Sequence, residues 1–109
     1  MIETNHLLVL VTCPDRACAE TIAYELVASN LVACVNIQPG IKSIFLWQGA
    51  VDSAEETLLF IKTTTCRFAD AETAIRARHP YELPEIIAVP IVAGAKSYLD
   101  WIDACVQKR

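Results

Sequence analysis

The seven residues His79-Pro80-Tyr81-Glu82-Leu83-Pro84-Glu85 bring one imidazole, one phenol and two carboxylates onto a short stretch of chain. Imidazole with carboxylate is a donor pair for first-row metals such as zinc, copper or iron. Pro80 and Pro84 fix their own φ and push His79 and Leu83 out of helical geometry. The stretch is therefore expected to run as a stiff, extended connector. It would join a helical pattern that fades near Arg78 to an apolar strand beginning around Glu85. A stiff connector can hold polar groups at set separations for a metal or small ligand. The same residues also suit a structural turn whose polar groups meet solvent.

Cys13 is the third candidate donor. It lies where the first strand meets the first helix, near free backbone N–H groups and the positive end of a helix dipole, a position that lowers a thiol pKa. Glu85, His79 and Cys13 thus form the candidate metal set, with thiolate shifting preference towards copper or zinc. A closed site takes about four donors, and the chain offers three. The alternative for Cys13 is a small packing residue. Cys13 and Cys18 stand as C-x4-C, which matches no common metal motif. Cys34, on an apolar strand, reads as core, and Cys66 as a thiol at a helix start. With Cys13 as nucleophile and His79 as base, no orienting partner or oxyanion feature can be named. Glycines at 40, 49 and 94 are too far apart for a phosphate loop. The chain reads as non-enzymatic, with no organic cofactor.

The elements that must position these groups follow from apolar spacing. Leu7 to Val11 is a continuous apolar run, as in a strand buried on both faces. Asp15 can cap the next helix, whose stripe is Ala19, Ile22, Ala23, Leu26 and Val27, and Asn30 can end it in left-handed geometry. Val32 to Ile37 and Ile41 to Trp47 are β-prone. Pro39-Gly40 between them is a turn or a bend in one long strand. A hairpin loop is expected from Trp47-Gln48-Gly49 through Asp52 to Glu55, then a return strand from Thr57 to Thr65. Phe68 to Arg78 is a helix, Glu85 to Val92 a strand, and Tyr98, Ile102, Cys105 and Val106 mark a closing helix. Thr12-Cys13 and Thr65-Cys66 echo each other at the two strand-to-helix junctions. Trp47 could anchor an interface or cover a local core. The order β-α-β-β-α-β plus a helix predicts an α+β fold, a ferredoxin-like split βαβ sandwich on an antiparallel sheet.

One domain spanning 1–109 is expected from the length. The chain is 54% hydrophobic with a mean hydropathy of +0.37, yet no run approaches the ~18 apolar residues of a membrane span. So much apolar surface points to burial against other copies, that is, a homo-oligomer. The first six residues show no basic leader pattern. Five scattered cysteines, an odd number, favour free thiols in a reducing cytoplasm. The net charge of −4 and dispersed Lys and Arg argue against a nucleic-acid partner.

Several motifs together resemble the CutA family of divalent-cation tolerance proteins. They are Thr12-Cys13-Pro14, Leu31 to Ile37 with Pro39-Gly40, Ser43 to Gly49, Glu56, Lys62-Thr63, His79-Pro80-Tyr81, Pro84-Glu85-Ile86 and Tyr98 to Trp101. The resemblance runs from Val9 to about Ile102. It implies a cytoplasmic homotrimer of ferredoxin-like fold, similar in architecture to PII signalling proteins, and a link to copper and other divalent metals. At the positions matching the family's proposed copper ligands stand Val11, Arg78 and Glu85, so only the glutamate carries over. The resemblance also leaves a second role open, a PII-like signalling or scaffold trimer. That trimer would hold an anionic or other small molecule in clefts between subunits lined by Lys62, Tyr81, Glu85 and Trp47, with Arg78 helping. A protein partner is a further possibility.

Overall fold

The structure, a computed structural model, describes residues 5–107. Residues 1–4 and 108–109, which the leader and single-domain readings include, lie outside that range. Along the chain run β1 (His6–Cys13), α1 (Arg16–Ala28), β2 (Cys34–Trp47), β3 (Ala50–Thr64), a 3-10 turn (Thr65–Arg67), α2 (Phe68–Arg78), β4 (Ile86–Pro90) and α3 (Lys96–Cys105). The strands form one antiparallel sheet in the order β2-β3-β1-β4. This is the expected α+β, split-βαβ arrangement with an added helix.

Local chemistry sets the ends of α1. The Asp15 carboxylate accepts the Cys18 backbone N–H at 2.8 Å, closing the N-terminus. At the other end Asn30 takes φ +58°, and the Leu31 N–H reaches back to the Leu26 carbonyl at 3.1 Å. That is a left-handed helix stop with its reaching-back bond. Ala19, Ile22 and Leu26 of α1 and Ala71 and Ile75 of α2 then pack on Val9, Val11 and Cys13 of β1 and Leu59 and Ile61 of β3.

One open reading is settled and two are revised. Pro39-Gly40 is a bend: β2 is one strand, with a register shift between Gln38 and Ile41 and Gly40 at φ +78°. The hairpin loop is only Gln48 (φ +50°) and Gly49 (φ +82°), and pairing resumes at once with Trp47 opposite Ala50. Positive φ at both positions matches the strand twist, so Asp52 to Glu55 is strand rather than loop. Cys34 is also revised. It is half-buried, opposite Lys62, whose ammonium lies 4.0 Å from its sulfur.

The other face of the sheet is apolar and incompletely covered. Leu10 aligns with Phe60 on β3 and Ile87 on β4, and Leu8 aligns with Lys62 and Val89. Alternation puts these opposite the buried Val9 and Val11. Ile87 and Val89 are 51% and 42% exposed. Beyond the helices the β2–β3 ribbon also leaves Ile44, Leu46 and Val51 largely exposed, on the face that carries Leu59 and Ile61.

Candidate functional site

The connector is tied down at two points. Its first residue, His79, is the extended cap of α2, and its N–H still bonds the Ile75 carbonyl at 2.9 Å. The imidazole is buried. Its Nδ1 lies 3.1 Å from the Tyr81 backbone N–H, and its Nε2 lies 2.7 Å from the Thr12 carbonyl oxygen. An amide can only donate, so Nδ1 accepts and Nε2 carries the proton that is donated to Thr12. Two residues on, the Tyr81 hydroxyl donates to Glu56 Oε2 at 2.8 Å, while its ring tilts against His79 at 4.7 Å between centroids. His79 thus ties the connector to β1 and Tyr81 ties it to β3. The chain bends at Glu82 and Leu83, so the stretch is stiff without being fully extended.

This geometry corrects the reading of His79 as a ready ligand. Both ring nitrogens are occupied, and either must give up its bond to meet a metal. Cys13 needs a larger correction. It ends β1, is fully buried, and lies before the Asp15 cap rather than on the helix. Burial pushes its thiol up from 9.0 to about 12, and the neighbouring Cys18, Glu56 and Asp15 act in the same direction. The Asp15 carboxylate takes the positive end of α1, so the dipole does not favour a Cys13 thiolate. Glu85 is exposed. Among the described residues, no three His, Cys, Asp or Glu side chains come together as a metal-holding group. Glu85, His79 and Cys13 therefore do not fit a closed three-donor metal site within one protomer. Arg78 is turned to Glu25, at 3.0 Å.

Two adjoining clefts, each about 460 Å³, share Phe45, Glu56, Tyr81 and Leu83. One is completed by Thr12, Ser43 and Glu85 among others, the other by Trp47, Asp52 and Glu82. Their lining thus holds four carboxylates, Asp52, Glu56, Glu82 and Glu85, and no Lys, Arg or His. Burial raises the Tyr81 phenol, and its bond to the Glu56 carboxylate raises it further, so the hydroxyl stays protonated. Tyr81, Glu85 and Trp47 line these clefts within one protomer, and Lys62 does not. Its ammonium bonds the Asn36 side chain. The charged side chains an anionic ligand would meet here are all carboxylates. Asp52 and Glu82 were not singled out as site residues, and what joins them to Glu56 is the β2–β3 pairing that brings β3 against the connector.

The model of the CutA1 divalent ion tolerance protein family matches residues 7–105. A divalent-cation tolerance protein CutA of Thermus thermophilus is 50% identical over 95 residues, which cover 87% of this chain and 92% of that one. Among solved structures, CutA from Xylella fastidiosa superposes with a TM-score of 0.93 at 40% identity, covering 95% of this chain and 100% of that one. A protein described as periplasmic divalent cation tolerance protein CutA, from Archaeoglobus fulgidus, gives a TM-score of 0.91 at 42% identity, covering 94% and 99%.

Proposed function

The chain belongs to the CutA1 divalent ion tolerance protein family, which gives it a role in divalent-cation tolerance, and on that premise we propose how it acts. It works as a non-enzymatic homotrimer that meets divalent cations, Cu²⁺ among them, through the carboxylates around the connector. Glu85 is the exposed contact. His79 and Cys13 act behind it, His79 by fixing the connector and Cys13 by filling the end of β1. The observation that carries this reading is the acidic, base-free lining of the two clefts. Carboxylate and carbonyl oxygens are donors that divalent cations accept without a thiol or imidazole. The cytoplasm is the proposed compartment, supported by five free cysteines with no disulfide among them.

Calorimetric titration of the reduced, metal-stripped protein with Cu²⁺ tests the site. Glu85→Ala is expected to weaken binding at least tenfold while leaving the folding midpoint unchanged. His79→Ala is expected to lower stability by about 2 kcal/mol, because it leaves the Thr12 carbonyl and Tyr81 N–H without partners. Cu²⁺ binding that ignores Glu85→Ala would remove the connector as the metal-facing surface.

A further inference from the structure

A third cleft, of about 290 Å³, lies between the 3-10 turn before α2 and the end of α3. Thr64, Cys66, Arg67, Asp103, Val106 and Gln107 line it, and none of them lines the two carboxylate clefts. Arg67 is only 8% exposed, so a full positive charge is buried here. Its Nη1 meets the Asp70 carboxylate and its Nη2 the Asn30 carbonyl, both at 3.4 Å. Charge-assisted bonds run at about 2.8 Å, so both contacts are loose. Asp70 is itself mostly exposed, and water screens its hold on the guanidinium. The Arg67 Nε is buried and has no partner among the described residues. A donor left in that state is rare in a folded protein and costly to keep. We propose that this cleft binds a small aliphatic monocarboxylate, with the Arg67 guanidinium as its anchor.

The chemistry of the lining selects that class. The Nε–H and a neighbouring Nη–H form a planar fork that matches the two oxygens of a carboxylate. The Nη then exchanges a loose contact for a short one, and Nε gains the partner it lacks. The next residue begins α2, which has no side-chain cap, so the positive end of the helix adds to the guanidinium. The carboxylate of the lining, Asp103, is engaged by His6 at 2.9 Å. One guanidinium balances one negative charge, whereas a phosphate dianion would leave a surplus beside Asp103. Nor does the lining offer many donors to a third or fourth oxygen. The Thr64 hydroxyl lies 3.5 Å from the Cys66 sulfur, and Gln107 stands exposed at the rim. Val106, 4% exposed, and the Cys66 side chain instead suit an alkyl group that leaves water. The volume is at the small end for ligand sites, which favours a short chain.

The test uses the full chain, with sodium butyrate as the probe and NaCl holding the ionic strength constant. Proton–nitrogen NMR reads arginine Nε–H groups directly, and the Arg67 signal is identified by its loss in Arg67→Lys. That signal is expected to move downfield and saturate with butyrate while the other arginine signals stay, with calorimetry giving one butyrate per protomer. Arg67→Lys keeps the charge but loses the fork, and should weaken butyrate binding at least tenfold. Gln107→Trp keeps Arg67 and fills the rim, so it should show the same loss even if Arg67→Lys folds poorly. An unmoved Nε–H signal, phosphate binding as tight as butyrate, or butyrate binding that survives both substitutions would overturn the site.

Discussion

Single side chains in this protein do their work through partners distant in sequence. The His79 imidazole spends both nitrogens on backbone, and one of those partners, the Thr12 carbonyl, is 67 residues away. Nothing in the connector itself reveals that bond, so the tether is not legible in the pattern that suggests a ligand. Cys13 was misread for a related reason. Its place at a strand-to-helix junction was visible, but its complete burial depends on how α1 and α2 cover the sheet. The consequence is measurable at alkaline pH. The thiol is raised from 9.0 to about 12 in the fold, so below pH 9 both folded and unfolded chains hold the proton and its contribution is intact. Between pH 9 and 12 the unfolded chain binds fewer protons, so stability falls as pH rises, with a slope approaching about 1.4 kcal/mol per unit from this group. Tyr81, also raised, steepens the loss above pH 10. Urea midpoints taken from pH 7 to 11 should stay level and then drop, and Cys13→Ala should flatten the drop by about one proton. An identical slope in the variant would show that the thiol titrates normally.

Elements were easier to read than their joints. Asn30 announced the end of α1, and the alternation of buried and open positions announced the strands. The tip of the β2–β3 ribbon was hidden because Asp52, Ser53 and Glu55 look like loop residues, yet lie on a strand with little to bury. What decides the tip is backbone geometry at two positions. Gln48 at φ +50° is an ordinary L-residue in left-handed space, and Gly49 follows at φ +82°. A side chain at Gly49 would meet nothing within 4 Å, so any penalty there is purely conformational. Gly49→Ala should therefore destabilise by about 1 kcal/mol. Gln48→Asn should act in the opposite direction, stabilising by roughly 0.5 kcal/mol, because Asn-Gly is the pair this turn favours. Thermal melts of the two variants check the signs. Equal, small effects would mean that the tip relaxes into another turn type.

At the scale of the whole molecule, the open face of the sheet cannot be an end state in water. The row Phe60, Leu10, Ile87 and its neighbour Val89 are apolar, and the ribbon adds Ile44, Leu46 and Val51. Apolar areas of this kind, one on the open face of the sheet and one on the ribbon, mark association surfaces. The composition had signalled such a surface, and pairing register now gives it an address that composition could not supply. In the proposed trimer these residues face other copies. Ile87 is the informative position, because at 51% exposure it does little for the isolated protomer. Ile87→Asp should cost the protomer about 0.5 kcal/mol or less, as an exposed substitution, but should place an unpaired charge in a subunit contact. Sedimentation velocity is therefore expected to show a trimer for the unaltered protein and a folded monomer for the variant. The same change should lower the melting temperature and remove its dependence on protein concentration, since only in the trimer are assembly and folding linked by mass action. If Ile87→Asp remained trimeric with an unchanged melt, the face would be open in the assembly, and the ribbon alone would have to hold the copies together.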